Sequence, residues 1–119
     1  MRVVLAPDKF KGTLTARQAA EIMARAIRSV HPDASIAELP LADGGEGTVQ
    51  TLTHALGGTF RSVTVHDPIG RLRKAEFGIA GKTAVIEMAA ASGMALLEQR
   101  ELNPLQTSTF GTGELIRAA

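Results

Sequence analysis

The chain contains no cysteine, no tryptophan and no tyrosine, and only four of its 119 residues are phenylalanine. Without thiols there is no disulfide, no thiolate nucleophile and no thiolate metal site, a composition suited to a reducing cytoplasm. Few aromatic rings leave little for base stacking, and a net charge of +1 offers no basic surface, so nucleic acid is not an expected partner. Long apolar runs are missing too. The longest, Met88 to Leu97, falls far short of the roughly 20 residues a membrane helix needs. The opening Met1 to Ala6 is interrupted by Asp8 and Lys9 before it could form a signal core. We read a soluble, cytoplasmic chain with no membrane partner.

What is present is an ordinary globular balance, 45% hydrophobic and 21% charged residues. A chain of this length would bury roughly 60 to 70% of its unfolded surface, enough for one modest core. That core must be built from Ala, Val, Ile, Leu and Met.

The order of elements predicts an α/β fold. Val3-Val4-Leu5-Ala6 is a continuous apolar run, as expected of a strand covered on both faces, and Pro7 ends it. From Thr15 the positions Ala19, Ile22, Met23, Ala26, Ile27 and Val30 follow helical spacing, with Thr15 as N-cap and Gln18 completing a capping box. Ser35 to Leu41 reads as a second strand, and a glycine-rich loop then opens a helix running to Gly57-Gly58. This parallel β-α-β-α unit is flavodoxin- or Rossmann-like. Beyond it, Phe60 to His66 alternates with period two and Asp67-Pro68-Ile69-Gly70 is a turn. Strands over Arg71 to Ile79 and Lys82 to Met88 would complete an antiparallel hairpin layer. A terminal helix is expected from Gly113. Residues 1–58 are read as the β-α-β-α portion of a first α/β domain, and residues 59–119 as the hairpin segment with the truncated start of a second.

Two segments carry chemistry. Ala42-Asp43-Gly44-Gly45-Glu46-Gly47-Thr48 sets three glycines and two carboxylates between a strand and a helix. Glycines let N–H groups approach an anion, the helix N-terminus adds partial positive charge, and the carboxylates can hold a metal or take a proton. The second, Thr107-Ser108-Thr109-Phe110-Gly111-Thr112-Gly113-Glu114, adds hydroxyl donors. Both point to a phosphate-handling enzyme. Asp8, Lys9 and Lys11 lie just past the first strand, where open α/β sheets bind ligands.

These blocks, with Leu5-Ala6-Pro7-Asp8-Lys9-Phe10-Lys11 and Ile86-Glu87-Met88-Ala89-Ala90-Ala91-Ser92-Gly93, occur together in the order found in the bacterial glycerate kinase family, which the chain resembles over essentially its whole length. The resemblance implies ATP-dependent phosphorylation of D-glycerate, with 2-phosphoglycerate the favoured product, and Mg²⁺ in a cleft between two α/β domains. Members of that family are longer, and a further Gly-rich, Asn/Asp-containing motif would follow the last helix. The chain is therefore expected to be an amino-terminal part, inactive alone. Exposed strand edges would favour association, and a homo-oligomer stays open.

Phosphoryl transfer needs cations or donors on phosphate oxygens, carboxylates for Mg²⁺, and a base or orienter at the attacking hydroxyl. Asp8, Lys9, Asp43 and Glu46 are the catalytic candidates, with Asp43 also the candidate for Mg²⁺. Lys11, Gly44, Gly45, Gly47, Thr48, Glu87, Ser92, Thr107, Ser108, Thr109, Gly111, Thr112 and Gly113 are candidates for binding glycerate or ATP. Plainer readings stand beside these. Asp43 could be an N-cap, Glu46 and Glu114 first-turn helix residues, the lysines a solvated loop, and the Ser/Thr run a linker capping the last helix. Glu87, a charge inside an apolar strand, calls for an ion-pair partner or a cleft. His31, His54 and His66 lack metal-ligand spacing and are expected at surfaces or turns. The competing functional class is a flavodoxin-like regulatory or ligand-binding module without catalysis, which would place a phosphoacceptor Asp after a third parallel strand.

Overall fold

The computed structural model describes residues 1–119 and divides into two compact units, Met1–Asp43 and Gly44–Ala119. In the first unit, β1 (Arg2–Leu5) pairs in parallel with β2 (Ser35–Glu38), in a register from Arg2↔Ser35 to Leu5↔Glu38. The connecting helix α1 (Ala16–Val30) starts at the expected capping box. Thr15 Oγ1 accepts from the Gln18 N–H at 3.2 Å, and the Gln18 side chain accepts from the Thr15 N–H at 2.9 Å. α1 packs on both strands through Ala16, Ala19, Ala20 and Ala24, all buried. Small side chains let the backbones approach closely. The larger apolar residues expected to form this face turn outward instead: Ile22, Met23 and Val30 are exposed. β1 is likewise shielded on one face only, because α1 covers one side, where Val3 and Leu5 are half-buried, and leaves Val4 65% exposed.

The ladder continues past the strand ends. The Leu39 N–H donates to Leu5 O at 2.7 Å and the Leu41 N–H to Pro7 O at 2.9 Å. These bonds hold the segment after β1 beside the segment after β2.

The second unit starts with the glycine loop and α2 (Thr48–Ala55), followed by β3 (Thr59–His66), β4 (Leu72–Ala80) and β5 (Thr83–Val85) in an antiparallel sheet of order β3-β4-β5. A full register from Thr59↔Ile79 to His66↔Leu72 joins β3 and β4. The turn between them closes on Asp67, whose Oδ1 accepts the N–H groups of Ile69 and Arg71 at 3.0 and 2.9 Å. Gly70 takes a φ of 89° there, a conformation costly for any residue with a Cβ. α2 packs against β4, β5 and β3. Its Thr53 lies so close to Gly78 that no Cβ would fit at that position.

β5 is shorter than the sequence suggests. It stops at Val85, since Met88 already has helical backbone angles and caps the one-turn helix α3 (Ala89–Ser92). Single 3₁₀ turns follow at Met94–Leu96 and Gln99–Glu101. The last helix, α4 (Phe110–Ala118), begins three residues before the expected Gly113. The core of this unit gathers Val65, Ala75, Phe77, Ala91 and Leu115, with Val63, Ile79, Ile86 and Ala90 packed around them.

Candidate functional site

In the first unit the loop after β1 and the segment after β2 meet in a charged cluster. Lys9 Nζ donates to Asp43 Oδ1 at 2.9 Å and stands 3.8 Å from Asp8 Oδ1, while that Asp8 oxygen also accepts the Lys9 N–H at 2.6 Å. One ammonium group therefore stands between two carboxylates that are 35 residues apart in sequence. The Lys9 side chain is 22% exposed against 41% for Asp8 and 58% for Asp43, so the lysine is half-buried and the acids face outward. Lys11 lies on the following turn and is exposed. Asp43 is not the cap of α2, whose N-cap is Gly47.

In the second unit the glycine loop has the backbone its sequence requires. Gly44 and Gly47 both have φ of 91°, and nothing within 4 Å would meet a Cβ at either, so conformation rather than space selects glycine here. The Gly44 N–H donates to Thr48 Oγ1 at 3.1 Å. The N–H groups of Gly47, Thr48 and Val49 all point at one oxygen, Glu87 Oε2, at 3.0, 3.1 and 3.4 Å. Glu87 is buried and has neither the cationic partner nor the open cleft that its place in the sequence suggests. Its partners are the orphan donors of a helix start. Glu46 sits in the same loop and is exposed.

The Ser/Thr/Gly segment divides into separate tasks. Ser92 Oγ and Thr112 Oγ1 share a hydrogen bond at 2.7 Å, joining α3 to α4. Ser108 donates its N–H to Pro68 O at 2.8 Å, and its hydroxyl accepts from the Phe110 N–H at 3.1 Å. Thr109 is the N-cap of α4 without using its side chain, and Thr107 is half-buried. Gly111 is buried with its Cα pressed on the carbonyl of His66, where a Cβ would collide with backbone. Gly113 faces open space.

Two ionic groups escaped the sequence reading: Glu114 and His66 lie 48 positions apart, and Arg71 joins Asp67, four positions before it, to Glu101, 30 positions after it. Glu114 accepts the His66 N–H at 2.7 Å, and both its oxygens lie 3.1 Å from His66 Nδ1, the arrangement of an Nδ1–H donor. The backbone bond from His66, then the imidazole beside it, hold the Glu114 carboxyl below its ordinary pKa despite partial desolvation. His66 is thus half-buried and tied to α4, more than the surface histidine expected. The buried carboxyl of Asp67 is pushed up by desolvation. Hydrogen bonds from the Arg71 side chain and from the Arg71 and Ile69 N–H groups outweigh that, and its pKa lies below the ordinary value. Arg71, raised chiefly by Asp67, also reaches Glu101 at 3.0 Å and Leu96 O at 3.1 Å, tying the hairpin turn to the 3₁₀ turns.

No three His, Asp or Glu side chains converge as a protein-only metal cage. Mg²⁺ does not require one in phosphoryl transfer, where one or two carboxylates, water and the substrate phosphates complete its shell. The outward-facing acids of the Lys9 cluster suit that mode. No helix is long and apolar enough to cross a membrane.

A parallel βαβ unit with charged residues past the carboxyl ends of its strands, and a hairpin layer opened by a glycine-rich helix start, define a mixed α/β chain. Residues 3–119 match the model of the glycerate kinase family. The chain belongs to that family. It is 51% identical to a glycerate kinase of Bacillus subtilis (strain 168) and 45% identical to a glycerate 2-kinase of Escherichia coli (strain K12), over 100% of this chain and 32% of each relative. A crystal structure assigned as glycerate kinase 2 from Salmonella typhimurium LT2 superimposes with a TM-score of 0.83 at 43% identity, covering 99% of this chain and 32% of that one. The chain thus spans about a third of the length of the relatives it matches.

Proposed function

We propose that this chain is the amino-terminal third of a cytoplasmic kinase that phosphorylates D-glycerate with ATP and Mg²⁺, yielding 2-phosphoglycerate. The observation that carries the assignment of roles is the Lys9 cluster, with Nζ 2.9 Å from Asp43 and 3.8 Å from Asp8. Family membership supports the reaction class.

Lys9 serves as the cation for the glycerate carboxylate or a transferring phosphate, and its ion pair with Asp43 fixes where that charge stands. Asp43 orients the attacking hydroxyl or ligates Mg²⁺, and the Asp8 carboxylate holds the lysine backbone by accepting the Lys9 N–H. When bound, Mg²⁺ would neutralise charge on the phosphate oxygens. In the second unit, taken by itself, Glu46 is an exposed carboxylate and Ser108 and Thr109 are exposed hydroxyl residues, the candidates there for substrate or nucleotide. The regulatory alternative needs a third parallel strand ending in a phosphoacceptor, whereas β3 runs antiparallel into β4.

The test is ADP release by the full-length kinase with D-glycerate, L-glycerate and related hydroxy acids, with the phosphate position read by NMR. Turnover confined to D-glycerate and a 2-phosphorylated product are expected. Absence of turnover with D-glycerate sinks the reading, and so does comparable turnover by the 119-residue chain alone.

A further inference from the structure

The glycine loop looks from its sequence like a cradle for a ligand anion, but the structure already contains an anion in that position. Glu87 Oε2 receives three N–H groups from consecutive residues at the start of α2, at 3.0, 3.1 and 3.4 Å. A buried carboxylate without a cation is costly. Here the orphan amides and the positive end of the helix dipole offset that cost, as they do for a phosphate bound at a helix N-terminus. An oxygen that holds three donors leaves them nothing to give to a ligand.

We infer that Glu87 occupies the anion position of the Gly44–Thr48 loop from within the chain, excluding ligand phosphate or carboxylate from Gly47–Val49, and acts as a positioning residue for the loop that carries Glu46. Gly44 and Gly47 are both at φ of 91° with open surroundings, so no side-chain packing at either glycine holds them. Glu87 supplies a tie from a segment 40 residues further on. Glu46 directly precedes the first bonded amide, so the direction of its side chain follows from that bond. The part concerning Glu46 rests on the kinase reading above. The occupancy of the anion position does not.

The experiment uses the ¹⁵N-labelled 119-residue chain and inorganic phosphate as the probe, with the Gly47, Thr48 and Val49 amide resonances as readout. In the wild type, millimolar phosphate is expected to leave these resonances unmoved. In Glu87→Ala, where the oxygen is removed, phosphate is expected to shift all three in a saturable way. Saturable shifts in the wild type overturn the inference, as does a folded Glu87→Ala chain whose three amides ignore phosphate. Should Glu87→Ala not fold, Glu87→Gln decides. It keeps an acceptor of the same shape but loses the charge, so its three amides should move and exchange faster while the β3-β4-β5 amides stay put. Unmoved amides in that variant overturn the inference. In the full-length kinase, Glu87→Gln is expected to lower kcat by up to about 10²-fold, the cost of a slightly displaced group, with KM for glycerate and ATP changed by much less. A raised KM at constant kcat would make Glu87 a binding residue and overturn the positioning role. A full-length protein without kinase activity would defeat the functional reading and leave the phosphate result standing.

Discussion

Lys9 Nζ and Asp43 Oδ1 lie 2.9 Å apart although they are 34 positions apart in sequence, because the Leu39 and Leu41 amides prolong the β1-β2 ladder past the ends of both strands. Exposed ion pairs of this kind contribute little to stability, about 0 to 1 kcal/mol. In the role proposed above, Asp43 acts on charge in the reaction and not on stability. Asp43→Asn in the full-length kinase should therefore lower turnover by about 10² to 10³, the loss seen when an electrostatic stabiliser is removed. The chemical-denaturation midpoint should barely move. A coupled ADP-release assay giving a near-normal rate would remove Asp43 from the mechanism.

Gly111 and Gly113 look equivalent in sequence and are opposite in the structure. A Cβ on Gly111 would meet the His66 carbonyl, whereas one on Gly113 would meet nothing within 4 Å. Gly111→Ala should cost about 1 to 3 kcal/mol as α4 is pushed off the end of β3. Gly113→Ala, inside α4, should stabilise by about 0.5 to 1 kcal/mol. Urea denaturation of the two variants beside the wild type checks both signs. Equal effects would mean that α4 does not pack as described.

The same pair of glycines shows what the sequence could and could not reveal. Local grammar was legible: Thr15-x-x-Gln18 capped α1, the period-two run over residues 60–66 became β3, and the glycine loop opened α2 where expected. Pairings across long stretches of chain were not. Glu87 read as a misplaced strand charge because nothing near residue 87 announces that residues 47–49 need an acceptor. Glu114 read as a first-turn residue because its partner His66 lies 48 positions earlier. In α1 the periodicity was right but the buried stripe fell on alanines, since close approach to the strands favours small side chains over Ile22 and Met23. For the candidate site, residue types and loop positions were readable, and the closeness of Lys9 to Asp43 was a product of the ladder.

Acid should weaken the second unit through Asp67 and Glu114. Both have native pKa values held below the ordinary ones, 3.8 for the aspartate and 4.5 for the glutamate, so the unfolded chain binds more protons in that range and stability rises with pH. The contribution is in place above the ordinary values and is lost as pH falls through the lowered native ones. The urea midpoint should hold steady from neutrality down to about pH 5 and decline below it. Glu114→Gln and Asp67→Asn should each start lower at neutral pH and show a shallower acid decline. A decline as steep as the wild type's in the double variant would assign the acid sensitivity to other carboxylates.

Thr53 offers a stabilising change. It is fully buried in α2, its hydroxyl has no hydrogen-bond partner, and it lies against Gly78 of β4. A buried hydroxyl left unpaired costs about 1 to 3 kcal/mol, and a group of the same shape without the polar atom avoids that cost. Thr53→Val keeps the branching and volume, so it should raise stability by about 1 kcal/mol. Thr53→Ser, which removes the methyl and keeps the oxygen, should lower it by a comparable amount through lost packing, at about 0.8 kcal/mol or more per buried carbon. Thermal unfolding of the two variants separates the cases. If the valine variant is the less stable of the two, the hydroxyl is paired in solution and α2 sits on β4 through a polar contact.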